Sequence, residues 1–485
     1  MQKSGLTVVV LAAGGGTRMR SKTVKVLHPI AGRSMIGHVL AAARETGPER
    51  IVTVVGHQRE EVSAHLREIA PDAVLAVQEE QLGTGHAVRV AVEAAGRLEG
   101  TVLVAYGDTP LLEGASLRSF AAEHEAAQCA VSILSGIVEN PFGYGRVLRN
   151  ADGDVEAIVE EKDATPAQRE VREINSGILA LDAEFLLGAL PRIGNDNAKG
   201  EYYLTDVVAI AREDGLTVGA YPIDDVMQTE GVNDRAQLAR MGAEMNRRIV
   251  DRWMRDGVTV MDPATTWVDA DVVLEPDVTI LPGVQLLGAT VVAEDAVVGP
   301  DSTLKDCEIG AGARVVRTHG ELAVIGAGAN VGPFSYLRPG TSLGAGGKIG
   351  GFVETKNATI GDGAKVPHLS YVGDAEIGEG TNIGAGTIFA NYDGMQKHRT
   401  TVGRQARTAS NNTFVAPVTI GDGAATGAGT VVRRDVPPGA LAVSGGPQRT
   451  IERWALRKRA GTPQAEAAQA ALDSRPAGEQ DVAES

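Results

Sequence analysis

The clearest hydrophobic pattern lies in the second half of the chain, where an apolar residue returns every six positions and is often followed by glycine. A helix with 3.6 residues per turn cannot keep this period, whereas a left-handed parallel β-helix of hexapeptide repeats does. An irregular glycine-rich loop is the alternative, but it gives no reason for a fixed spacing. With a weak beginning and a one-residue shift after Val372, the repeated positions are Val272, Val278, Val284, Ile325, Val331, Leu337, Leu343, Ile349, Ile360, Val366, Val372, Ile377, Ile383, Val402, Phe414, Ile420 and Val432.

The first 230 or so residues instead alternate short apolar runs with amphipathic stretches. This alternation predicts an α/β domain with a mostly parallel, Rossmann-like sheet and helices on both faces. Ser34 is the predicted N-cap of a first helix that ends near residues 47–48, and a second helix is predicted at 60–69. The predicted strands are 6–11, 51–55, 73–77, 101–105 and 130–134.

A long amphipathic helix is predicted to join the two halves. Its apolar positions recur at helical spacing from Leu238 to Trp253, and Asp256-Gly257 ends the pattern. We therefore expect an α/β domain at 1–233, whose core closes before the helix, a helical linker at 234–256 and a β-helix domain at 257–460. Residues 388–402 break the repeat and predict a protruding loop, and 461–485 have no period and predict a disordered tail.

Net charge and cysteine content exclude some classes of function and favour one cellular compartment. The chain has 485 residues, 46 basic against 62 acidic, and the net charge of −16 argues against a nonspecific nucleic-acid or anionic membrane surface. Two distant cysteines, Cys129 and Cys307, have no metal-ligand spacing and favour a reducing cytoplasm. No signal peptide or membrane-spanning run is predicted.

A glycine turn follows the first predicted strand, in Leu11-Ala-Ala-Gly-Gly-Gly-Thr-Arg-Met19. Glycines let backbone N–H groups approach an anion closely, and Arg18 is able to neutralise phosphate oxygens. The segment is neither a P-loop nor a complete dinucleotide fingerprint, so on spacing alone a purely structural turn is equally well supported.

Further motifs follow in a fixed order and, with Lys25-Val26-Leu27, resemble the signature of sugar-1-phosphate nucleotidyltransferases. Together with the hexapeptide half they resemble, over the chain except its tail, the bacterial bifunctional family with N-acetylglucosamine-1-phosphate uridyltransferase and glucosamine-1-phosphate N-acetyltransferase activities. The motifs are Gln81-Leu-Gly-Thr-Gly-His86, Tyr106-Gly-Asp-Thr-Pro110, Gly143-Tyr-Gly-Arg146, Val159-Glu-Glu-Lys162, Asn175-Ser-Gly177 and Glu230-Gly-Val-Asn233.

The resemblance implies a cytoplasmic, Mg²⁺-dependent homotrimer that makes UDP-N-acetylglucosamine, a precursor of peptidoglycan and lipopolysaccharide. Its implied substrates are glucosamine-1-phosphate, acetyl-CoA, N-acetylglucosamine-1-phosphate and UTP. Two rivals share the layout: a nucleotidyltransferase with one activity whose β-helix only oligomerises, and a non-enzymatic regulatory scaffold. Intact Arg18, Lys25 and Asp108 count against the scaffold, and His368 with Lys356 counts against the single activity.

For uridyl transfer, the resemblance implies that Arg18 and Lys25 are catalytic and that Asp108 and Asn233 hold Mg²⁺. Cations suit this chemistry because negative charge crowds the phosphates in the transition state. As alternatives, Asp108 caps a turn before Pro110 and Asn233 is the N-cap of the linker helix. The implied nucleotide and sugar contacts are Leu11, Ala12, Ala13, Gly14, Lys25, Gln78, Gly83, Thr84, Tyr106, Gly107, Asp108, Gly143, Glu160, Asn175 and Asn233.

For acetyl transfer, the resemblance implies that His368 is the general base, although a histidine on such a coil is more often an ordinary corner residue. Glu354 is a weaker candidate for a supporting role. The implied glucosamine-1-phosphate contacts are Arg338, Lys356, Tyr371 and Asn382. The implied acetyl-CoA contacts are Ala385, Asn391, Tyr392, Ser410 and Ala428.

Two positions depart from the family pattern. Val24 replaces a proline before the catalytic lysine, which puts the stiffness of that loop in question. Gly445 replaces an arginine that contacts the phosphates of coenzyme A in the family, and Arg449 is the nearest cation that could substitute for it. We expect acetyl-CoA binding to weaken on Arg449→Ala and to strengthen on Gly445→Arg.

Overall fold

The computed structural model describes residues 5–56, 59–197, 199–446, 448 and 450–474. An α/β half is followed by a long helix, a parallel β-helix and two short helices, and the predicted fold class is confirmed. The α-helices are α1 (Met35–Glu45), α2 (Arg59–Ile69), α3 (Thr84–Ala95), α4 (Gly114–Ala126), α5 (Pro166–Arg169), α6 (Ala183–Ala189), α7 (Asp206–Glu213), α8 (Arg235–Arg255), α9 (Trp454–Lys458) and α10 (Pro463–Asp473). Single 3₁₀ turns lie at Thr17–Met19, Lys25–Leu27, Leu190–Arg192 and Val226–Thr229.

The α/β half contains one large twisted sheet, because its apolar strands need cover on both faces. Its strands and a separate hairpin (β2 and β3) are β1 (Leu6–Leu11), β2 (Pro29–Ile30), β3 (Arg33–Ser34), β4 (Arg50–Val55), β5 (Val74–Val77), β6 (Thr101–Tyr106), β7 (Val131–Ile137), β8 (Gly145–Arg149), β9 (Val155–Val159), β10 (Glu173–Asp182) and β11 (Val218–Pro222). The main order is β11-β7-β10-β6-β1-β4-β5, with β10 antiparallel to its neighbours; β8 pairs with β10, and β9 pairs with β8. The five predicted strands and both predicted helices are present, with small shifts at their ends, and Ser34 Oγ accepts the Gly37 N–H at 3.1 Å as the predicted N-cap.

Helix α8 packs against both halves of the chain. Asp234, not Asn233, is its N-cap, since the Asp234 carboxylate accepts the Gln237 N–H at 2.8 Å. Near its beginning, Met241 is buried in one cluster with Met19 and Ile30, and nearer its end Ile249 joins the β-helix core. Among the described residues, neither of the two large cores of the α/β half includes a residue of this helix, so the expectation that this core closes before the helix stays a prediction.

The β-helix has three faces, and each coil pairs in parallel with the next. Inward residues such as Val331, Ile349 and Val366 stack along its axis, which explains the six-residue repeat. The first face contains Thr259–Val260, Thr279–Ile280, Val297–Val298, Arg314–Val315, Asn330–Val331, Lys348–Gly351, Lys365–His368, Ala425–Thr426 and Leu441–Ala442. The second contains Trp267–Val268, Gln285–Leu287, Thr303–Lys305, Thr318–Glu321, Ser335–Leu337, Ile388–Ala390, Thr413–Val415 and Val431–Val432. The third contains Val273–Leu274, Val291–Val292, Glu308–Ile309, Ala323–Ile325, Thr341–Leu343, Thr400–Val402 and Val418–Ile420, while Glu354–Ile360 and Tyr371–Ile377 run through the second and third faces.

Two segments differ from the sequence expectation. Phe389 does not protrude but is buried against Phe414, with ring centroids 5.1 Å apart, so the chain leaves the coil only after Ala390 and returns at Thr400. The predicted disordered tail is wrong for Pro463–Asp473, which form α10, and residues 475–485 lie outside the described residues. Across the described ranges, no helix combines the length and apolar character needed to cross a membrane.

Candidate functional site

The first site lies where the central strands β1 and β6 end. After Leu11 the chain crosses this edge of the sheet, with the Ala12 N–H donating to the Val54 carbonyl at 2.9 Å. Gly16 has a φ of +57°, and a Cβ there would lie 2.5 Å from Lys25 Cβ. The glycine turn therefore lets the loop pass close beside Lys25 and fold back over the strand ends.

A cavity of about 270 Å³ opens beneath this loop. Gln78 is buried on one side, and its Nε2 donates to the Gly83 carbonyl at 3.1 Å. Gly83 has a φ of +110°, and a Cβ there would lie 2.6 Å from the Tyr202 carbonyl oxygen. Gly107 lies behind the lining, where its N–H donates to the Leu11 carbonyl at 2.9 Å. The predicted residues that line the cavity are Leu11, Ala12, Ala13, Gly14, Lys25, Gln78, Gly83, Thr84, Tyr106 and Asp108.

Two cations and two oxygen ligands converge at the mouth of this cavity. The Lys25 ammonium contacts the Asp108 carboxylate and lies 3.5 Å from Asn233 Oδ1, which also accepts a 2.7 Å hydrogen bond from Arg18. The Val232 N–H donates to the Asp108 carbonyl at 2.9 Å, which brings the distant chain segment before α8 into place. The Asn233 amide nitrogen donates to the Gly231 carbonyl, so its oxygen faces the cations.

The predicted sugar residues form a neighbouring group on β8, β9 and β10. Asn175 pairs with Gly145 in the sheet, and a Cβ on Gly145 would lie 3.4 Å from a Glu160 carboxylate oxygen. Gly143 lies on the preceding turn, and its N–H donates to the Glu161 carboxylate at 3.3 Å. Burial raises the pKa of Glu160 above the usual carboxyl range, with nearby Asp163 contributing in the same direction and Lys199 opposing it.

Tyr106 connects the two groups. Burial, and then the charges of Asp108 and Glu160, raise the pKa of its phenol. Its ring packs where a Cβ on Gly177 would lie 2.6 Å away, so the glycine leaves room for the ring. Tyr106 thus lines the cavity and also lies near Glu160 of the sugar group, at the carboxyl end of β6, the edge at which open α/β sheets bind ligands.

The second candidate site is a polar cluster on the second face of the β-helix. Arg338 forms an ion pair with Glu354 at 3.0 Å, and Tyr371 lies in register with Glu354 on the next coil. Lys356 lies beside Lys397 of the protruding loop, and this second ammonium lowers the pKa of Lys356. Two lysines held together in this way favour binding of an anion.

Asp374 anchors the beginning of the protruding loop to this cluster. Its carboxylate accepts hydrogen bonds from Asn357 at 2.8 Å and from Asn391 at 2.5 Å. Burial by itself would raise the pKa of Asp374, but these hydrogen bonds and the two lysines outweigh it and lower the pKa. Tyr392 follows Asn391 and is exposed.

A corner of the β-helix continues from His368 along three further coils. The His368 carbonyl accepts the Gly386 N–H at 3.1 Å, Ala385 accepts from Asn411 at 2.7 Å, and Ser410 accepts from Gly429 at 2.9 Å. His368, Ala385, Ser410 and Ala428 therefore form a column with one residue per coil. Asn382 lies on the first face, paired with Lys365 and Arg407, and one chain does not bring it together with Lys356 and Tyr371 on the second face.

Comparisons with known proteins show relatives that extend over both halves of the chain. A family model described as a MobA-like NTP transferase domain matches residues 8–170. The bifunctional protein GlmU of Kineococcus radiotolerans is 60% identical over 467 residues, covering 96% of this chain and 95% of the relative. Those of Rhodococcus opacus and Mycobacterium tuberculosis are 58% and 56% identical, each covering 96% of this chain and 94% and 95% of the relatives.

The chain belongs to the GlmU family of bifunctional proteins. The family resemblance, the class of bifunctional transferase and the role in UDP-N-acetylglucosamine synthesis predicted from the sequence are thereby confirmed. A nucleotidyltransferase of this kind generally depends on a divalent metal. Among the described residues, no group of three or more His, Cys, Asp or Glu side chains could hold a metal by itself.

Two residues that contact the sites were not predicted from the sequence. Gln81 lines the nucleotide cavity and donates to the Ala13 carbonyl. Gln81 begins the motif that ends at His86, but the motif alone does not predict this contact. Lys397 lies in the loop outside the hexapeptide repeat, so neither spacing nor motif indicated it. Arg449, the predicted substitute for the missing arginine, lies outside the described residues, and Gly445 has open space around its Cα.

Proposed function

We propose that this chain carries out two consecutive reactions at its two sites. The β-helix site acetylates glucosamine-1-phosphate, and the α/β site transfers a uridylyl group from UTP to the resulting N-acetylglucosamine-1-phosphate, releasing pyrophosphate. The observation that carries the proposal is the presence, in one chain, of two separate cationic sites. One is the cavity lined by Lys25, with Arg18 held nearby through Asn233, and the other is the cluster of Arg338, Lys356 and Lys397 on the β-helix.

In uridyl transfer, the sugar phosphate oxygen attacks the α-phosphorus of UTP and the bond to pyrophosphate breaks. Arg18 and Lys25 neutralise the phosphate oxygens, whose charge increases in the transition state. Asn233 orients both cations through its side-chain oxygen. Glu160 and Asn175 hold the sugar, while Gln78, Gly83 and Thr84 surround the uracil.

Asp108 and Asn233 are the residues that would hold Mg²⁺. Their side-chain oxygens already contact one common cation, the Lys25 ammonium, so the donor set suits a hard divalent ion. Two protein ligands suffice because Mg²⁺ usually keeps waters and substrate phosphates as its other ligands. When bound, the ion supplies further neutralisation of the phosphates.

In acetyl transfer, the sugar amine attacks the thioester carbonyl, the C–N bond forms, and the C–S bond breaks to release coenzyme A. His368 accepts the proton that the amine loses, a step that typically contributes roughly 10²–10⁴-fold. Arg338, Lys356 and Tyr371 hold the sugar phosphate. Acetyl-CoA lies along the corner column of Ala385, Ser410 and Ala428.

The separation of Asn382 from Lys356 on different faces supports a site shared between chains. In a homotrimer, one chain would supply Arg338, Lys356 and Tyr371, and its neighbour would supply Asn382. We place this trimer in the cytoplasm, where UTP and acetyl-CoA are available.

The test is to incubate the purified chain with glucosamine-1-phosphate, acetyl-CoA, UTP and Mg²⁺ and to leave out one component at a time. The complete mixture should give UDP-N-acetylglucosamine, and omission of UTP should still give coenzyme A. Omission of acetyl-CoA should stop both products, and added N-acetylglucosamine-1-phosphate should then restore the nucleotide product alone. In the complete mixture, coenzyme A release without any nucleotide product, or nucleotide product without coenzyme A release, would contradict the two-reaction proposal.

A further inference from the structure

The loop that carries Arg18 and Lys25 ends in a tight hairpin that faces the β-helix. Strands β2 and β3 are joined by the two-residue turn Ala31-Gly32, with φ values of +44° and +76°. The left-handed conformation is unfavourable for alanine and persists where the surroundings determine it. Ala31 packs against the core of the β-helix and also against the cluster that contains Met19 and Ile30.

Three consecutive residues of the first β-helix coil, Asp269 to Asp271, contact this hairpin, and we name them the docking turn. The Ala270 N–H donates to the Ala31 carbonyl at 2.9 Å, and Arg33 forms an ion pair with Asp271. A Cβ on Gly32 would lie 2.5 Å from Asp269 Oδ2. Asp269 is itself fixed, because this same oxygen accepts the Gly288 N–H of the next coil at 2.8 Å.

The hairpin is coupled to Lys25 over a short path. The His28 N–H donates to the Lys25 carbonyl at 3.2 Å, and the Met35 N–H donates to the His28 carbonyl at 3.1 Å. Ile30 is buried in the cluster that contains Met19, and the hairpin residue Ala31 packs against the same cluster. A shift of the hairpin therefore moves the single 3₁₀ turn on which Lys25 stands.

We propose that the docking turn of the β-helix is a positioning element of the uridyltransferase site. Asp269 and Asp271 touch neither the nucleotide cavity nor its cations, but they fix the hairpin that sets the place of Lys25. The inference rests on the proposed role of Lys25 in uridyl transfer. It means that the β-helix contributes to both reactions, to acetyl transfer through His368 and to uridyl transfer through its first coil.

The experiment uses the full-length chain and two matched pairs of variants. Gly32→Ala and Gly47→Ala place a Cβ at similar positive φ values, +76° and +68°, but only the first meets Asp269, since nothing lies near Gly47. Asp271→Ala and Glu321→Ala each remove an exposed ion pair from the β-helix, and only the first touches the hairpin. Both activities are measured for each variant, with kcat and KM for the sugar phosphate in uridyl transfer.

Because small misplacements of catalytic groups are costly, we expect Gly32→Ala to lower the uridyl-transfer kcat about ten-fold relative to Gly47→Ala. Asp271→Ala should lower it about two- to three-fold relative to Glu321→Ala, and the charge swap Arg33→Asp with Asp271→Arg should restore it. The KM for N-acetylglucosamine-1-phosphate and the acetyl-transfer kcat should not change, because the sugar residues and His368 lie elsewhere.

Equal uridyl-transfer kcat values within each matched pair would overturn the inference. So would an equal loss of both activities in Gly32→Ala, because that outcome indicates general destabilisation. If the wild-type chain itself showed no uridyl transfer, the proposed function would fail instead, so the two failures are distinguishable.

Discussion

The buried carboxylate of Glu160 lowers the stability of the folded chain, and we assign it a role in binding the sugar. Its pKa is raised by burial, so the folded state favours the protonated carboxyl. A raised folded pKa gives stability that is present below the unfolded pKa and lost as pH rises through the folded pKa. At neutral pH the ionised carboxylate therefore destabilises the α/β half, and its retention is explained by the sugar hydrogen bond that we assign to it.

We predict opposite effects of Glu160→Gln on stability and activity. The amide removes the buried charge, so Tm at pH 7 should rise by about 2 °C, with the difference disappearing near pH 4. Loss of a charge-assisted hydrogen bond should lower uridyl-transfer kcat/KM about ten-fold or more. Thermal unfolding at the two pH values and steady-state kinetics check both parts; a lower Tm at pH 7 would contradict the assignment of a buried charge.

Val24 replaces the proline of the family pattern, but its backbone has the conformation that a proline would adopt. Its φ of −59° and ψ of 139° are proline geometry, and its side chain is buried. We predict that Val24→Pro leaves the uridyl-transfer kcat within about two-fold and adds up to about 1 kcal/mol of stability. Initial rates and thermal unfolding decide this, and a ten-fold loss of rate would show that the loop must move through other conformations.

The cavity-lining residues that belong to a sequence motif were predictable, because residues adjacent in a motif also lie close together in the structure. The nucleotide-cavity lining from Leu11 to Gly14 and around Gly83 is of this kind. Asp269 and Lys397 were not predictable, because each meets its partner only through the packing of distant segments. Asn233 and Asp234 are adjacent and both are good N-cap residues, so the sequence could not show which of them caps α8. The backbone geometry decides in favour of Asp234.

At the scale of elements, the β-helix was predictable because one six-residue repeat encodes both the inward side chains and the corners. Phe389 was wrongly predicted to lie in the protruding loop, because the insertion that follows its strand interrupts the six-residue spacing. The inner face at this point contains the Phe389 and Phe414 rings at an angle of 84°. Helix α10 was missed because its alanine-rich sequence has no apolar stripe, although Thr462 and Pro463 form a standard helix start.

The aromatic pair gives a prediction for the last coils. Phe414→Ala removes a fully buried ring and should cost about 3–5 kcal/mol, whereas Phe414→Leu should cost much less. Because each coil is supported by its neighbours, acetyl transfer should fall with stability while uridyl transfer persists. Thermal unfolding and both assays on the two variants check this, and loss of uridyl transfer alone would be incompatible with it.

For the whole molecule, the positions of Lys356 and Asn382 on different faces give a test of the shared acetyl site. Lys356→Ala and Asn382→Ala chains should each be inactive in acetyl transfer. Differently tagged and co-expressed, the two chains should form mixed assemblies, and in the proposed homotrimer about one site in three then combines the two intact residues. After tandem purification, the mixed trimers should therefore show about a third of the wild-type acetyl-transfer rate. If they show none, Lys356 and Asn382 act in the same chain's site, which would contradict the shared site.

The most direct test of the account is to measure both activities of two single variants in otherwise intact assemblies. Asp108→Ala should abolish pyrophosphate release from UTP and leave coenzyme A release from acetyl-CoA nearly unchanged, because Asp108 lines the cavity of the α/β half. His368→Ala should do the reverse. If either variant, eluting at the size of the wild-type assembly, lost both activities, the assignment of one reaction to each half would be wrong.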